Sequence, residues 1–104
     1  MERLRDHLNR IIRITTERWE HIETEHPEMS GELDKVRETV LAPDKVVRSR
    51  TDARVELFYR KYESTRVGHK LMCVAVKVLP DDLFMITAYF TDTVKKGETL
   101  WEKK

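Results

Sequence analysis

Lys77, Thr87, Tyr89 and Thr91 are polar side chains set into two otherwise apolar runs, Leu71–Leu79 and Leu83–Thr91. Side chains alternate across a strand, so the spacing predicts that these four share one face. Met72, Val74, Val76, Val78, Phe84, Ile86, Ala88 and Phe90 are expected to form an apolar wall on the other. An ammonium, two hydroxyls and a phenol suit phosphodiester chemistry. Cleaving RNA asks for little more, because the 2′-hydroxyl is the nucleophile. The protein supplies a base, an acid for the leaving oxygen and donors for the charged phosphorane. Lys77, with Arg48 or Arg60, can supply charge; Thr87 and Thr91 can donate hydrogen bonds. Tyr89 and His26 can exchange protons, although Tyr89 needs a lowered pKa to act as a base. The bland alternative is the solvated face of a half-exposed antiparallel sheet.

The histidines need a helix to place them. About 100° of rotation per residue sets Trp19, Ile22 and His26 on one stripe, so His26 is expected to point toward the sheet, with His21 and Glu17 round the other side. A histidine at a helix C-terminus also has a simpler use as a satisfied or dipole-capping group, and His21 reads as solvated surface. The four histidines and one cysteine show no paired metal-ligand spacing, so neither a metal nor a cofactor is expected. Only Gly31, Gly68 and Gly97 are present, without a phosphate loop or a G-x-S-x-G elbow, which argues against nucleotide triphosphate and serine hydrolase chemistry. Cys73 lies mid-strand and reads as an inert buried thiol.

Around these residues, 104 positions suffice for one domain spanning 1–104, and 39% apolar with 38% charged residues suits a folded globular chain. No run approaches a membrane span, and Met1–His7 lacks the apolar centre of a secretory signal, so a cytoplasmic protein without membrane contact is expected. The net charge of +1 is unevenly spread. Residues 1–43 carry 7 Lys and Arg against 10 Asp and Glu, net −3; residues 44–104 carry 13 against 9, net +4. The basic half is the strand-rich half, which allows an RNA-binding face, though ordinary solvated charge accounts for it as well.

The β-branched run at Ile11–Ile14 predicts a short strand. Thr15 or Thr16 then offers an N-cap for a helix to about Glu25, stopped by His26-Pro27. A second helix is predicted from Ser30 as N-cap to about Leu41, ended by Ala42-Pro43-Asp44. Strands are expected over 45–50, 55–62, 71–79 and 83–91, the last two joined by Pro80-Asp81-Asp82 as antiparallel neighbours. This order predicts an α+β fold: a short strand and two helices, then a four-stranded antiparallel sheet with the helices on one face and the other open to a ligand. Trp101 is expected to anchor the tail to the body.

Several blocks resemble a known family when taken in order. They are Thr15–Ile22, His26-Pro27-Glu28, Pro43–Val46 with Arg48-Ser49, Val74–Val78, Ile86–Thr91, and Lys95-Lys96-Gly97 through Trp101. Together they look like the phage-associated nuclease domains grouped with barnase, EndoU, colicin D and RelE. The resemblance implies helices packed on a four-stranded antiparallel sheet and a metal-independent endoribonuclease, often a toxin with a cognate antitoxin or immunity protein. It implies His21, His26, Lys77, Thr87 and Tyr89 as the catalytic set. Arg48, Arg60, Thr91, Lys95 and Lys96 would contact the RNA. Active-site residues vary within that group, so the match does not identify the general base. The other expectation is a noncatalytic RNA- or protein-binding module on the same polar sheet face.

Overall fold

A computed structural model describes residues 1–104. Seven strands form one mixed sheet: β1 (Glu2–Arg5), β2 (Ile11–Ile14), β3 (Lys45–Ser49), β4 (Val55–Thr65), β5 (Gly68–Leu79), β6 (Asp82–Thr91) and β7 (Gly97–Glu102). Two helices, α1 (Thr16–Glu25) and α2 (Leu33–Leu41), pack on one face. The strand order is β1-β2-β6-β5-β4-β3-β7. An α+β fold is what the segregated pattern predicts, and the β3 to β6 meander is antiparallel throughout. The expected four-stranded sheet is too small, because β2 adds to β6 in parallel, β1 adds to β2, and β7 adds to β3. Short terminal segments carry little periodic signal, and here their pairing comes from distant partners.

Thr15 caps α1, its hydroxyl accepting the Arg18 amide at 3.0 Å. Such a cap is worth ~1 kcal/mol to a helix of this length. The second helix starts later than expected. Gly31 has φ +78°, a left-handed conformation that no helix propagates, so Ser30 is not its N-cap. Pro27–Met29 instead forms a single 3-10 turn. The C-terminus of α2 is clamped to β4: the Arg60 guanidinium donates to the Ala42 carbonyl at 2.6 Å, and the Tyr62 hydroxyl donates to Glu38 at 2.6 Å. A cation on the last carbonyls of a helix opposes their partial negative charge.

The sheet's alternation breaks once. Ala75 faces Thr87 and Val76 faces Met85, leaving Ile86 as an extra residue, a β-bulge in β6. On the helix side are Met72, Val74, Val76, Met85 and Ala88, all buried, with Val78, Leu83 and Phe90 partly buried beside them. Phe84 and Ile86 therefore leave the apolar wall expected for them, and Met85 takes their place. Ile86 packs on the other face with Thr87.

Fourteen buried residues make the main core between helices and sheet; six make a second cluster on the opposite face, Val47, Val55, Leu57, Tyr59, Cys73 and Ala75. At roughly 1.5–3 kcal/mol per large buried apolar side chain, the helix side supplies most of the stability. Polar residues on the far face can change without unfolding the chain.

Candidate functional site

The far face is not bare. To pass from β6 to β7, residues 92–96 cross β5, β4 and β3, and the Lys95 amide donates to the Tyr59 hydroxyl at 3.0 Å. Tyr59 is buried beneath this strap. Where the strap rejoins the sheet, the Cβ of any residue but glycine at position 97 would overlap the Arg48 carbonyl, and it would lie 2.7 Å from Val47 Cγ1. Gly97 is what lets the strap lie this close to β3.

Strap, sheet and the β3–β4 loop enclose a cavity of about 270 Å³. Its floor is Leu57, Ala75, Ile86, Thr87 and Tyr89; Ser49, Arg50, Thr51 and Asp52 form one wall, and Lys95 and Lys96 form the other. Three cations thus ring a floor with one unsatisfied hydroxyl: Thr87 Oγ1 is buried without a hydrogen-bond partner. An orphaned buried hydroxyl costs about 1–3 kcal/mol, which a bound acceptor would recover. The bulge creates this arrangement, since it turns both Ile86 and Thr87 to the cavity.

Lys77 lies one row further along β5 and forms an ion pair with Asp52. That hydrogen bond, with a second from the Arg54 amide, holds the Asp52 carboxyl below the usual carboxylate range. Lys77 is therefore engaged, and acts on the cavity through the loop that Asp52 anchors.

Tyr89 lies in the cavity floor, but its hydroxyl does not meet the condition for a base. Burial, with the Cys73 thiol beside it, pushes its pKa up, as burial does for Tyr59. At neutral pH both phenols keep their protons. Cys73 is likewise pushed up by burial, in keeping with an inert thiol. His26 stacks on the Tyr89 ring, and the Lys95 ammonium lies 5.9 Å from that ring's centre.

The remaining expected site residues are dispersed. His21 pairs with Glu25 at 3.0 Å and lines a shallow, wholly polar depression with Thr15, Glu17 and Arg18 on the outer side of α1. Helical phase separates it from His26. Arg48 alternates to the helix side, where it holds Glu98 at 3.0 Å and the Ala53 carbonyl at 3.1 Å. Arg60 is on the helix side too, committed to α2. Neither arginine faces Lys77, because each is one residue out of phase with the open-face positions of its strand. Thr91 is on the open face but beyond the strap, in a second cleft with Lys61, His69, Lys70, Leu71 and Asp92. Among the four histidines, His26 alone touches the cavity lining.

Arg50 and Asp52 did not stand out in the sequence. Thr51-Asp52 reads as a turn, yet nothing local shows which face that turn closes over. Trp101 lies in β7 with its ring 5.3 Å from that of His7, but it is exposed, so it rests on the surface and the tail is held by strand pairing with β3 instead. No family model, curated protein or solved structure matches this chain.

Proposed function

We propose that the open sheet face binds RNA and cleaves it without a metal, by 2′-hydroxyl attack that leaves a cyclic phosphate, with the strapped cavity as the phosphodiester site. The observation that carries this reading is the ring of Arg50, Lys95 and Lys96 around the unpartnered Thr87 hydroxyl. Cations and a donor converging on one point suit the negative charge that grows on phosphorus in the transition state. His26 is the proton-exchanging group, because imidazole is the side chain that exchanges protons near neutrality and this one contacts the lining. Tyr89 positions that ring. Lys77 holds Asp52 and with it the wall that carries Arg50 and Thr51. The resemblance to phage-associated nuclease domains supports a toxin, restrained by a cognate antitoxin or immunity protein that covers the cationic face.

A second reading rests on the engagement of Lys77 and the high pKa of Tyr89, which leave few groups for proton transfer. On that reading the same face is a noncatalytic binding module. Purified protein incubated with total RNA in EDTA, beside a His26→Ala, Lys95→Gln variant, separates the two. Cyclic-phosphate ends from the unaltered protein alone support the nuclease. Intact RNA that is nonetheless retained, with retention lost in the variant, supports the binding module.

A further inference from the structure

The second cleft on the open face has about the same volume, 260 Å³, and lies directly beyond the strap. Its lining is Lys61, His69, Lys70, Leu71, Thr91 and Asp92. Lys70 is held by Asp92 at 2.7 Å, whereas the Lys61 ammonium is exposed and in no ion pair. The Lys61 amide is fixed by Asp44 at 2.8 Å, so its backbone is anchored while the head group is free. His69 is exposed at the mouth.

Register gives the separation of the clefts. Leu71 floors the second and Ala75 floors the first, four residues apart on β5, or ~13 Å at strand rise. One phosphate cannot reach both. The strap between them carries Lys95 and Lys96, so positive charge continues from Arg50 to Lys61 along one face. A flat side chain accompanies it in the second cleft, the exposed His69, as suits a base stacking beside a phosphate.

We propose that the Lys61–His69 cleft is a second subsite for the same ligand, and that the face takes an RNA strand long enough to span the strap. This rests on the RNA reading of the first cavity and adds to it a minimum length. Lys61 contacts a flanking phosphate, and His69 stacks on the base next to it.

Fluorescence anisotropy with labelled oligouridylates tests it independently of cleavage. The unaltered protein binds an octanucleotide more tightly than a dinucleotide. Lys61→Gln lowers the slope of log affinity against log salt for the octanucleotide by about 0.7, the loss of one phosphate contact on a single strand, and leaves the dinucleotide unaffected. His69→Ala, also at an exposed position, weakens only the octanucleotide, whereas Lys95→Gln weakens both. Octanucleotide binding that is identical in the unaltered, Lys61→Gln and His69→Ala proteins overturns the second subsite and leaves the first standing. Failure of the unaltered protein to bind either oligonucleotide overturns both readings.

Discussion

His26 stacks on Tyr89 with ring centroids 5.5 Å apart and the rings 29° from parallel. The two residues belong to different layers, His26 at the junction of α1 with the 3-10 turn and Tyr89 on β6. Because β2 pairs with β6 only at Leu83 and Phe84, the outer edge of β6 at Tyr89 is free of strand partners, and His26 reaches the open-face phenol there. His26 is not itself a lining residue, and its stacking on Tyr89 is what links the imidazole to the cationic cavity.

Removing the imidazole tests that link. His26→Ala should reduce RNA cleavage by about 100-fold or more, the usual worth of a positioned acid or base, while RNA affinity stays near its original value. Tyr89→Phe keeps the stacked ring and loses only the hydroxyl, so its cleavage should fall less. Tyr89→Ala removes the platform and should approach the His26→Ala level. Equal activity in Tyr89→Ala and the unaltered protein would remove the stacking contact from the mechanism.

The Asp52–Lys77 pair predicts a pH signature. The folded-state pKa of Asp52 is depressed, so its contribution to stability is complete above the ordinary carboxylate range and is lost as pH falls through the folded value. Asp52→Asn should therefore melt below the unaltered protein at neutral pH, with the gap closing as pH falls below the ordinary carboxylate range. Thermal melts across that range check it, and a gap that persists in acid would point to packing. Lys77→Gln should give the same closing gap, and both should weaken RNA binding through the displaced wall.

His7 adds a loss of stability in the same direction, at higher pH, on the acid side of neutrality. Its ring packs edge-on against Phe58 at 5.8 Å, and burial lowers its pKa below the ordinary 6.5, outweighing the nearby Asp6 and Glu56 carboxylates. The folded state thus binds the proton less readily than the unfolded chain, and stability should decline as pH falls below that ordinary value. Replacing His7 with Phe should flatten this part of the melting profile. An unchanged slope would assign it to another group.

Gly97→Ala should distort the strap without dismantling the core. The added Cβ meets the Arg48 carbonyl, so β7 must shift from β3, at a cost of about 1–3 kcal/mol. Lys95 and Lys96 move with it, and RNA affinity should fall further than in a core variant of equal stability. Val76→Ala supplies that comparison: Val76 is fully buried on the helix side, and its truncation should cost about 1–3 kcal/mol while leaving affinity intact. Chemical denaturation beside oligonucleotide binding gives both quantities.

Local pattern alone was enough to place much of this fold. Thr15 as a cap, Pro27 and Pro43 as stops, the β-branched runs around Val46 and Val74, and the apolar and aromatic run around Leu57 each express a preference of a few neighbouring residues. Those preferences are strong enough to determine α1 and the β3 to β6 meander. The helix-side position of Val74 and Val76, and the open-face position of Lys77 and Tyr89, follow from period-two alternation within a strand.

Tertiary structure decided what depends on distant partners. Strands β1 and β7 lack the β-branched run that marks β2 and β3, and they exist because β2 and β3 present edges to them. The bulge at Ile86 shifts alternation by one, which puts Met85 in the core and brings Thr87 beside Ile86; a single strand's composition does not encode where its partner will skip a residue. Arg48 and Arg60 carry the right charge for the cavity but fall on the helix side. Asp52 reaches Lys77 across 25 positions of sequence. A cavity forms only where a strap, a turn and a sheet face meet in three dimensions, and that meeting is set by the order of strands in the sheet.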